Sequence, residues 1–379
     1  MIAFLDPVHV ELVRVIAAAA NIDIIGAGSP TKGQSGTVAA DLGCETTDDL
    51  RAALAERVCD AFLIVASGDF GSVSNAAGTD ARAVLAAHAR GIKIASFEPI
   101  PGSALDARGA WSESQSGAIA AHVPRLIGLP RHSRAMRDAA EPLAQFGRPR
   151  FLHAESLGRP EEGSLGARML AVCDLVVSLM GEPETVEAAY VAPSGSMRGP
   201  ANNAITTLRG DMCATMRFAD GRAAGITASS EGARWNFGCT ILGEQGRIRI
   251  HHRGFTWRAI DGEARDEMRL PEYDDPASRI AQPVDNEIPT AHLFEQDRVE
   301  AADPYARAAA KELAFRLAHK PSIEALSESL ARTLDPEIPD QGPINVESVL
   351  AVVQAAMLSA RTGQPEHPQT FRTVSVGGI

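Results

Sequence analysis

Cysteines are few and scattered in this chain. The five, Cys44, Cys59, Cys173, Cys213 and Cys239, stand singly among 379 residues with no CxxC pair. An odd, dispersed set argues against a disulfide frame or a zinc ribbon and fits reduced thiols in a cytoplasm. The ten histidines contain no His-x-x-x-His or His-Glu-x-x-His pair, and the neighbours His251 and His252 lack ligand spacing, so no metal cluster is expected. Aromatics make up only 5% of the chain, no basic run interleaves with them, and the net charge is −12. That balance excludes nucleic acid and anionic membrane surfaces as partners. The opening residues 1–21 carry Asp6 and Glu11 and no leading Lys or Arg, unlike a signal peptide.

What is present is a large apolar fraction, 45% over 379 residues, enough for a sizeable core and two domains. Apolar runs at 2–5 and 22–25 flank an apolar helix pattern at 8–20, which is how a doubly wound parallel sheet opens. The pattern resumes with a helix at 47–57, strands at 61–65 and 92–95 and a helix at 80–90 ended by Gly91. Residues 103–145 read as the crossover out of this first segment. Strands follow near 151–154 and 185–191, then a hairpin of 211–218 and 223–229 about the turn Asp220-Gly221. Runs at 235–242 and 247–251 flank Gly243-Glu244-Gln245-Gly246. The fold class expected is therefore α/β, a Rossmann-like sheet over 1–125 followed by an α+β domain over 126–379 with an open, mostly antiparallel sheet. Residues 261–303 hold thirteen acids against four arginines and prolines at 271, 276, 283 and 289, which reads as an irregular solvated excursion. Two helices, at 304–319 and 346–360, are expected to close the fold, with a loose tail after His367.

The stretch 160–183 organises the rest. Ser164 is placed to cap a helix whose first turn follows Glu161 and Glu162, and Gly181 with Pro183 stops it. Between Leu165 and Met180 the polar side chains are Arg168, Asp174 and Ser178, so the helix reads as buried, and it is too short to span a bilayer. Positions 167, 171, 174 and 178 share one face and read Ala, Ala, Asp, Ser.

That helix resembles the one bearing the catalytic Asp and His in the Gfo/Idh/MocA family of NAD(P)-dependent sugar and polyol dehydrogenases, usually D-x-x-x-H-x-x-D before an apolar turn and Gly-x-Pro. Further likenesses are Cys59-Asp60-Ala61-Phe62-Leu63-Ile64 to the family's V-D-A-V-x-I strand, and residues 91–99 to its G-K-H-V-x-x-E-K-P. Residues 218–221 resemble F-x-D-G, and 240–248 resemble x-I-x-G-x-x-G-x-I. The resemblance implies NAD or NADP as cofactor, a sugar-like ligand, and assembly into homo- or hetero-oligomers through the second sheet.

Laid on this chain, the family's catalytic Asp falls on Ala167, its His on Ala171 and its second Asp on Asp174. The Lys that orients the substrate hydroxyl falls on Glu98, or is deleted if Glu98 takes the place of the preceding Glu. Between the first strand and helix stands Asp6-Pro7-Val8-His9, where the pyrophosphate needs G-x-G-x-x-G. Gly26, Gly28, Gly33 and Gly36 come after the second apolar run and read as a flexible loop before a displaced phosphate cradle, with Lys32 as a possible phosphate contact.

The candidates are thus Asp174 and Glu98 for proton transfer, and Asp6, His9, Ser67 and Pro99 for the cofactor. For the substrate they are Arg131, Arg134, His153 and Asp174. The basic set Arg125, Arg131, His132, Arg134 and Arg137 reads first as a solvated face and second as an anion pocket. Asp174 reads first as one half of a structural pair. Asp6, Asp69 and Glu98, at strand ends, suit a cation or an amine. With the glycine loop, the Lys and the Asp/His positions changed together, the leading expectation is an oxidoreductase-like protein without ordinary hydride transfer that binds a ligand or pairs with an active homologue. The second is an NAD(P)-dependent dehydrogenase using Asp174 and Glu98, and the third a binding protein with no small ligand.

Overall fold

The computed structural model describes residues 1–56, 59, 61–66, 83, 84, 86, 87, 90–100, 102, 104, 125–193, 205, 208–232, 234–269, 304–335 and 345–373. Two sheets carry it. The first has six parallel strands, β1 (Ile2–Phe4), β2 (Gly26–Gly28), β3 (Glu45–Thr46), β4 (Ala61–Ile64), β5 (Lys93–Ser96) and β6 (Arg125–Leu126), in the order β3-β2-β1-β4-β5-β6. The second has eight: β7 (Pro149–Leu157), β8 (Thr185–Val191), β9 (Asp211–Arg217), β10 (Ala223–Ser229), β11 (Asn236–Gly243), β12 (Gly246–His251), β13 (Gly254–Arg258) and β14 (Ala264–Arg269). Its order is β14-β13-β12-β11-β7-β10-β9-β8, antiparallel throughout except where β10 meets β7. The expected fold class is the one found.

The helices are α1 (Val10–Ala19), α2 (Ser35–Leu42), α3 (Leu50–Glu56), α4 (Arg134–Asp138), α5 (Ala140–Phe146), α6 (Leu165–Met180), α7 (Pro304–Ala318), α8 (Lys320–Leu334), α9 (Val346–Thr362) and α10 (Pro368–Thr373). On one face of the first sheet, Leu12, Val13 and Ile16 of α1 and Val38 of α2 form a core with Ile323, Leu326 and Leu330 of α8. Leu50 and Leu54 of α3 pack on the other face with Phe4, Phe62 and Ile64. The larger core lies between the second sheet and helices α6 and α9.

The organising helix is α6. Its cap is the one anticipated: Ser164 Oγ accepts the Ala167 N–H at 3.1 Å, and Gly181 ends it at φ 84°. All but three of its sixteen residues are buried, because α6 packs on β7 and β10 beneath and on α9 beside it.

Several elements depart from the pattern. The second strand is Gly26–Gly28, not 22–25; Ile25 N donates to Met1 O (2.9 Å), and Ile22 and Ile24 pack half-buried against the core. The glycines are there for space, since a Cβ on Gly28 would lie 2.1 Å from Thr47 O and 2.8 Å from the Phe4 ring. What read as a flexible loop thus supplies a strand and, from Ser35, the helix α2. Helix α3 starts at Leu50 rather than at 47, because the Asp49 carboxylate accepts the Arg51 and Ala52 N–H groups and Thr47 N still donates to Ala27 O across the sheet.

The acidic excursion begins as a strand, β14, exposed at the sheet edge, and its remainder lies outside the described residues, as do most of the expected helix 80–90 and residues 103 and 105–124 of the crossover 103–145. A third closing helix, α8, opens with Pro321 in its first turn, where the missing N–H costs nothing. The tail is held as α10 by Arg372 and Gln369, both bonded to Glu182 at 2.7 and 3.2 Å.

Candidate functional site

In a doubly wound sheet the ligand-binding rim is the edge where the strands end. Here that rim carries Leu5-Asp6 after β1, Val65-Ala66 after β4 and Phe97-Glu98 after β5. Residues Pro7–His9 form a tight turn leading into α1, without glycine and with one amide N–H removed by proline. The Asp6 carboxylate accepts the Thr31 hydroxyl at 2.9 Å, tying the rim to the loop after β2. His9 is buried, and that burial lowers its pKa against the pull of Asp6 and Glu161. The turn Pro160–Glu162, just before α6, packs directly against Pro7–His9. Pro99 is buried behind Glu98; Ser67 and Asp69 lie outside the described residues.

Glu98, just after β5 of the first sheet, reaches the start of α6, the helix that packs on the second sheet. Its Oε1 accepts the Ser164 N–H at 2.9 Å and its Oε2 the Ser164 hydroxyl at 2.5 Å, so the carboxyl is bonded to the cap of α6. Only 6% of the residue is exposed. Burial raises its pKa to about 8, against the opposing effect of the Ser164 bonds and of Arg168, so the group is mostly protonated at neutral pH. Glu98 therefore brings the rim neither the positive charge of a lysine nor a free carboxylate.

Behind it lies a polar network that the sequence pattern did not reveal. Arg168, one turn into α6 and 4% exposed, donates to Leu157 O (3.0 Å) and Arg159 O (3.3 Å) and lies 3.6 Å from Glu162. Its guanidinium fills the space a side chain on Gly158 would take, with Nη2 only 2.0 Å from that Cβ position. Burial lowers its pKa to about 10, partly offset by Glu162, Glu98 and Glu161. Glu162 accepts from Ser322 Oγ (2.5 Å), His319 Nδ1 (2.9 Å) and Arg159 N (2.9 Å). Burial pushes that carboxyl up, but these donors hold it below its ordinary value.

Arg159 Nη1 reaches His319 Nε2 at 3.2 Å. A guanidinium only donates, so Nε2 accepts and Nδ1–H faces Glu162. The network ties the start of α6 to the α7–α8 junction. One signal was readable: an arginine inside an apolar helix demands an acid close by.

Asp174 and Arg131 come together as a pair, with the carboxyl buried and the guanidinium partly exposed. Arg131, in the turn Pro130–His132 after β6, places Nε 3.0 Å from Asp174 Oδ2, with the two side chains 23% and 3% exposed. The N–H is not aimed at the oxygen, so the contact is an ion pair without an aligned hydrogen bond. Burial raises the Asp174 pKa to about 6, with Arg131 opposing. Ala167 and Ala171, on the same helical face, are buried and offer methyl groups only.

The other substrate candidates lie elsewhere. Arg134 has a 55% exposed side chain and a 3.6 Å contact to Asp138, and it lines a separate cleft. His153 alternates with the buried Leu152 and Ala154 on β7, which turns it to the sheet face away from α6. The basic set is therefore not one solvated face: Arg131 points to α6, and Arg137 is bonded to Glu328. Asp6 and Glu98 are each held by a hydroxyl, and no metal-binding group of three or more His, Cys, Asp or Glu occurs among the described residues. All five cysteines are free thiols, Cys173 and Cys239 among them buried with raised pKa values.

No family model and no curated protein sequence matches the chain. Solved structures do. A probable dehydrogenase from Thermotoga maritima is 14% identical with a TM-score of 0.54, covering 98% of this chain and 99% of its own. Levoglucosan dehydrogenase, solved with NADH and L-sorbose, is 13% identical with a TM-score of 0.55, at 98% and 99%. Myo-inositol 2-dehydrogenase from Lactobacillus plantarum is 11% identical with a TM-score of 0.52, at 97% and 98%. Along nearly its whole length, then, the chain has the two-sheet fold of the Gfo/Idh/MocA-type dehydrogenases.

Proposed function

We propose that this chain is a dehydrogenase-fold subunit without ordinary hydride transfer, which binds a sugar-like ligand or serves an active sugar or polyol dehydrogenase as its partner. The observation that carries the reading is Glu98: whether it replaces the family's lysine or stands beside its deletion, the acid there is buried and bonded twice to Ser164. A lysine there favours loss of the substrate hydroxyl proton, and a sealed, largely neutral carboxyl does not. Ala167 and Ala171 supply no acid or base. Losing a general acid–base group costs about 10²–10⁴ in rate, and losing a charge-stabilising donor about 10²–10³.

The turn Pro7–His9 also fits a pyrophosphate poorly. It lacks the glycines that let phosphate approach the amides, presents Asp6, and is covered by the turn Pro160–Glu162. Gly26 and Gly28 are used up in strand packing, which leaves no displaced cradle in β2. The chain's own contribution to a hydroxylated ligand is then Arg131, with 23% of its side chain exposed, held beside the alanine face of α6 by Asp174, whose side chain is 3% exposed.

Assembly through the second sheet belongs to this reading. Its face away from α6 sets Phe151 opposite Leu242, each 38% exposed. The described helices include none long and apolar enough to cross a membrane, and with free thiols and net charge −12 the proposed compartment is the cytoplasm.

One observation favours the rival reading, an NAD(P)-dependent enzyme with substituted residues: Asp174, with a pKa near 6, is in the range of a general base. Native mass spectrometry of the purified full-length chain distinguishes the two. A companion dehydrogenase subunit or a bound sugar-like molecule supports the proposal. A stoichiometric dinucleotide, with turnover abolished by Asp174→Asn in a folded protein, supports the rival.

A further inference from the structure

A second depression lies away from the rim just described. Helix α1 ends at Ala19, at the edge where the strands of the first sheet begin, and Asn21 turns the chain back there with φ 57°. Between that edge and the β12–β13 hairpin runs a cleft of 680 Å³. One wall is α8, which has two faces. Ile323, Leu326 and Leu330 lie in the first core, while Pro321 and Ala325 face the cleft. The opposite wall is Trp235, Phe237 and His252. Trp235 meets His252 edge-on with ring centres 5.8 Å apart.

The polar groups of this cleft divide into used and available. Glu328 is bonded to Arg137 at 2.5 Å, and Ser329 Oγ accepts the Gly128 N–H at 3.3 Å. Glu324 and Arg253 have contacts of their own. The Nδ1 of His252 is buried without a hydrogen-bond partner. Burial, with His251, Arg253 and Arg234 nearby, lowers its pKa to about 4, so the ring is neutral at pH 7 with one nitrogen to offer. Arg134 keeps its cation at the wall, since a 3.6 Å contact to Asp138 on an exposed helix is worth well under about 1 kcal/mol.

The volume is in the range of small-molecule sites, roughly 300–1,000 Å³, which are typically apolar with a few placed polar groups. The geometry points to this cleft as a binding site for a small organic carboxylate with a flat apolar body, its ring against Trp235 and Phe237 and its charge met by Arg134 and His252. A phosphate dianion requires a nest of several donors, and a bare sugar requires donors and acceptors in pairs. One guanidinium and one imidazole nitrogen over an aromatic floor suit a single carboxylate instead.

The site is independent of the dinucleotide question, because no residue of the Glu98, Ser164 or Asp174 cluster lines it. The test is calorimetric titration of the full-length protein with 2-naphthoate and, separately, with its neutral amide. The acid is expected to bind at least tenfold more tightly than the amide. Arg134→Met, at a half-exposed position, should remove that preference, and Ala325→Trp should block both ligands while the Arg134 variant keeps the wild-type melting temperature. Equal binding of acid and amide, no binding of either at millimolar concentration, or a preference unchanged in Arg134→Met would each overturn the assignment.

Discussion

Replacing Glu98 with glutamine isolates the group on which the functional reading rests. In the folded chain its pKa is about 8, against an ordinary 4.5, because the carboxyl is buried. Between those values the folded state holds a proton that the unfolded chain has released, so this group's stabilising contribution is complete below about pH 4.5 and is lost as pH rises toward 8. At about 1.4 kcal/mol per pH unit the interval amounts to something on the order of 5 kcal/mol. Glutamine resembles the protonated acid. Its carbonyl accepts the Ser164 N–H, and its amide donates to Ser164 Oγ, the reverse of the bond in which the Ser164 hydroxyl donates to Glu98, while Oγ still accepts from Ala167. Urea midpoints measured from about pH 5 to pH 9 should therefore fall more steeply for the wild type than for Glu98→Gln. The two proteins should be similar at the acid end, and the variant should be more stable by several kcal/mol at the alkaline end. Other titrating groups shift both curves together and cancel in the difference. Parallel curves across the range would refute the reasoning, because they would mean that Glu98 is ionised and solvated.

The Arg131–Asp174 pair makes a second pH-dependent prediction. Arg131→Met leaves a 3% exposed carboxylate without its cation, at a cost of about 3–5 kcal/mol near pH 8. The cost should shrink near pH 5, where Asp174, with its pKa near 6, takes up a proton. Adding Asp174→Asn should restore most of the loss, and an equal loss at both pH values would show that the pair is not ionic. Gly28→Ala, with its Cβ 2.1 Å from Thr47 O, should destabilise by about 3 kcal/mol or more in thermal melts. By contrast, Gly36→Ala in α2 meets nothing within 4 Å and should be neutral or stabilising by up to about 1 kcal/mol.

The strands of the second sheet were legible because they alternate. Asp211–Arg217 carries buried residues at every other position, its partner Ala223–Ser229 is buried at five of seven, and the Asp220-Gly221 turn fixes their register. Helix α6 was legible from its cap and its glycine stop. Strand β2 was not, because a three-residue strand of Gly, Ala and Gly has no side-chain pattern; only its neighbours Phe4 and Thr47 explain it. Helix α8 was hidden by its composition, with proline at its start and three serines along it, although Ile323, Leu326 and Leu330 keep helical spacing.

At the site, the placement of Glu98 and Asp174 was readable from position along the chain. Their partners were not, since Ser164 reaches Glu98 across 66 positions and Arg131 reaches Asp174 across 43. Separations of that size are decided by tertiary packing, and no local pattern encodes them. His153 failed to join the cluster because strand alternation, once the register of β7 is known, turns it to the other face.

The central proposal is that the rim of the first sheet, with Pro7–His9 where the family has a glycine loop and no lysine beside Glu98, does not support cofactor-dependent hydride transfer. Fluorescence titration of the purified full-length chain with NADH and NADPH, followed by assay of NAD⁺ and NADP⁺ reduction with sugars and polyols, tests it most directly. The account predicts no saturable binding below about 1 mM and no turnover. Micromolar binding together with turnover by the chain alone would contradict it.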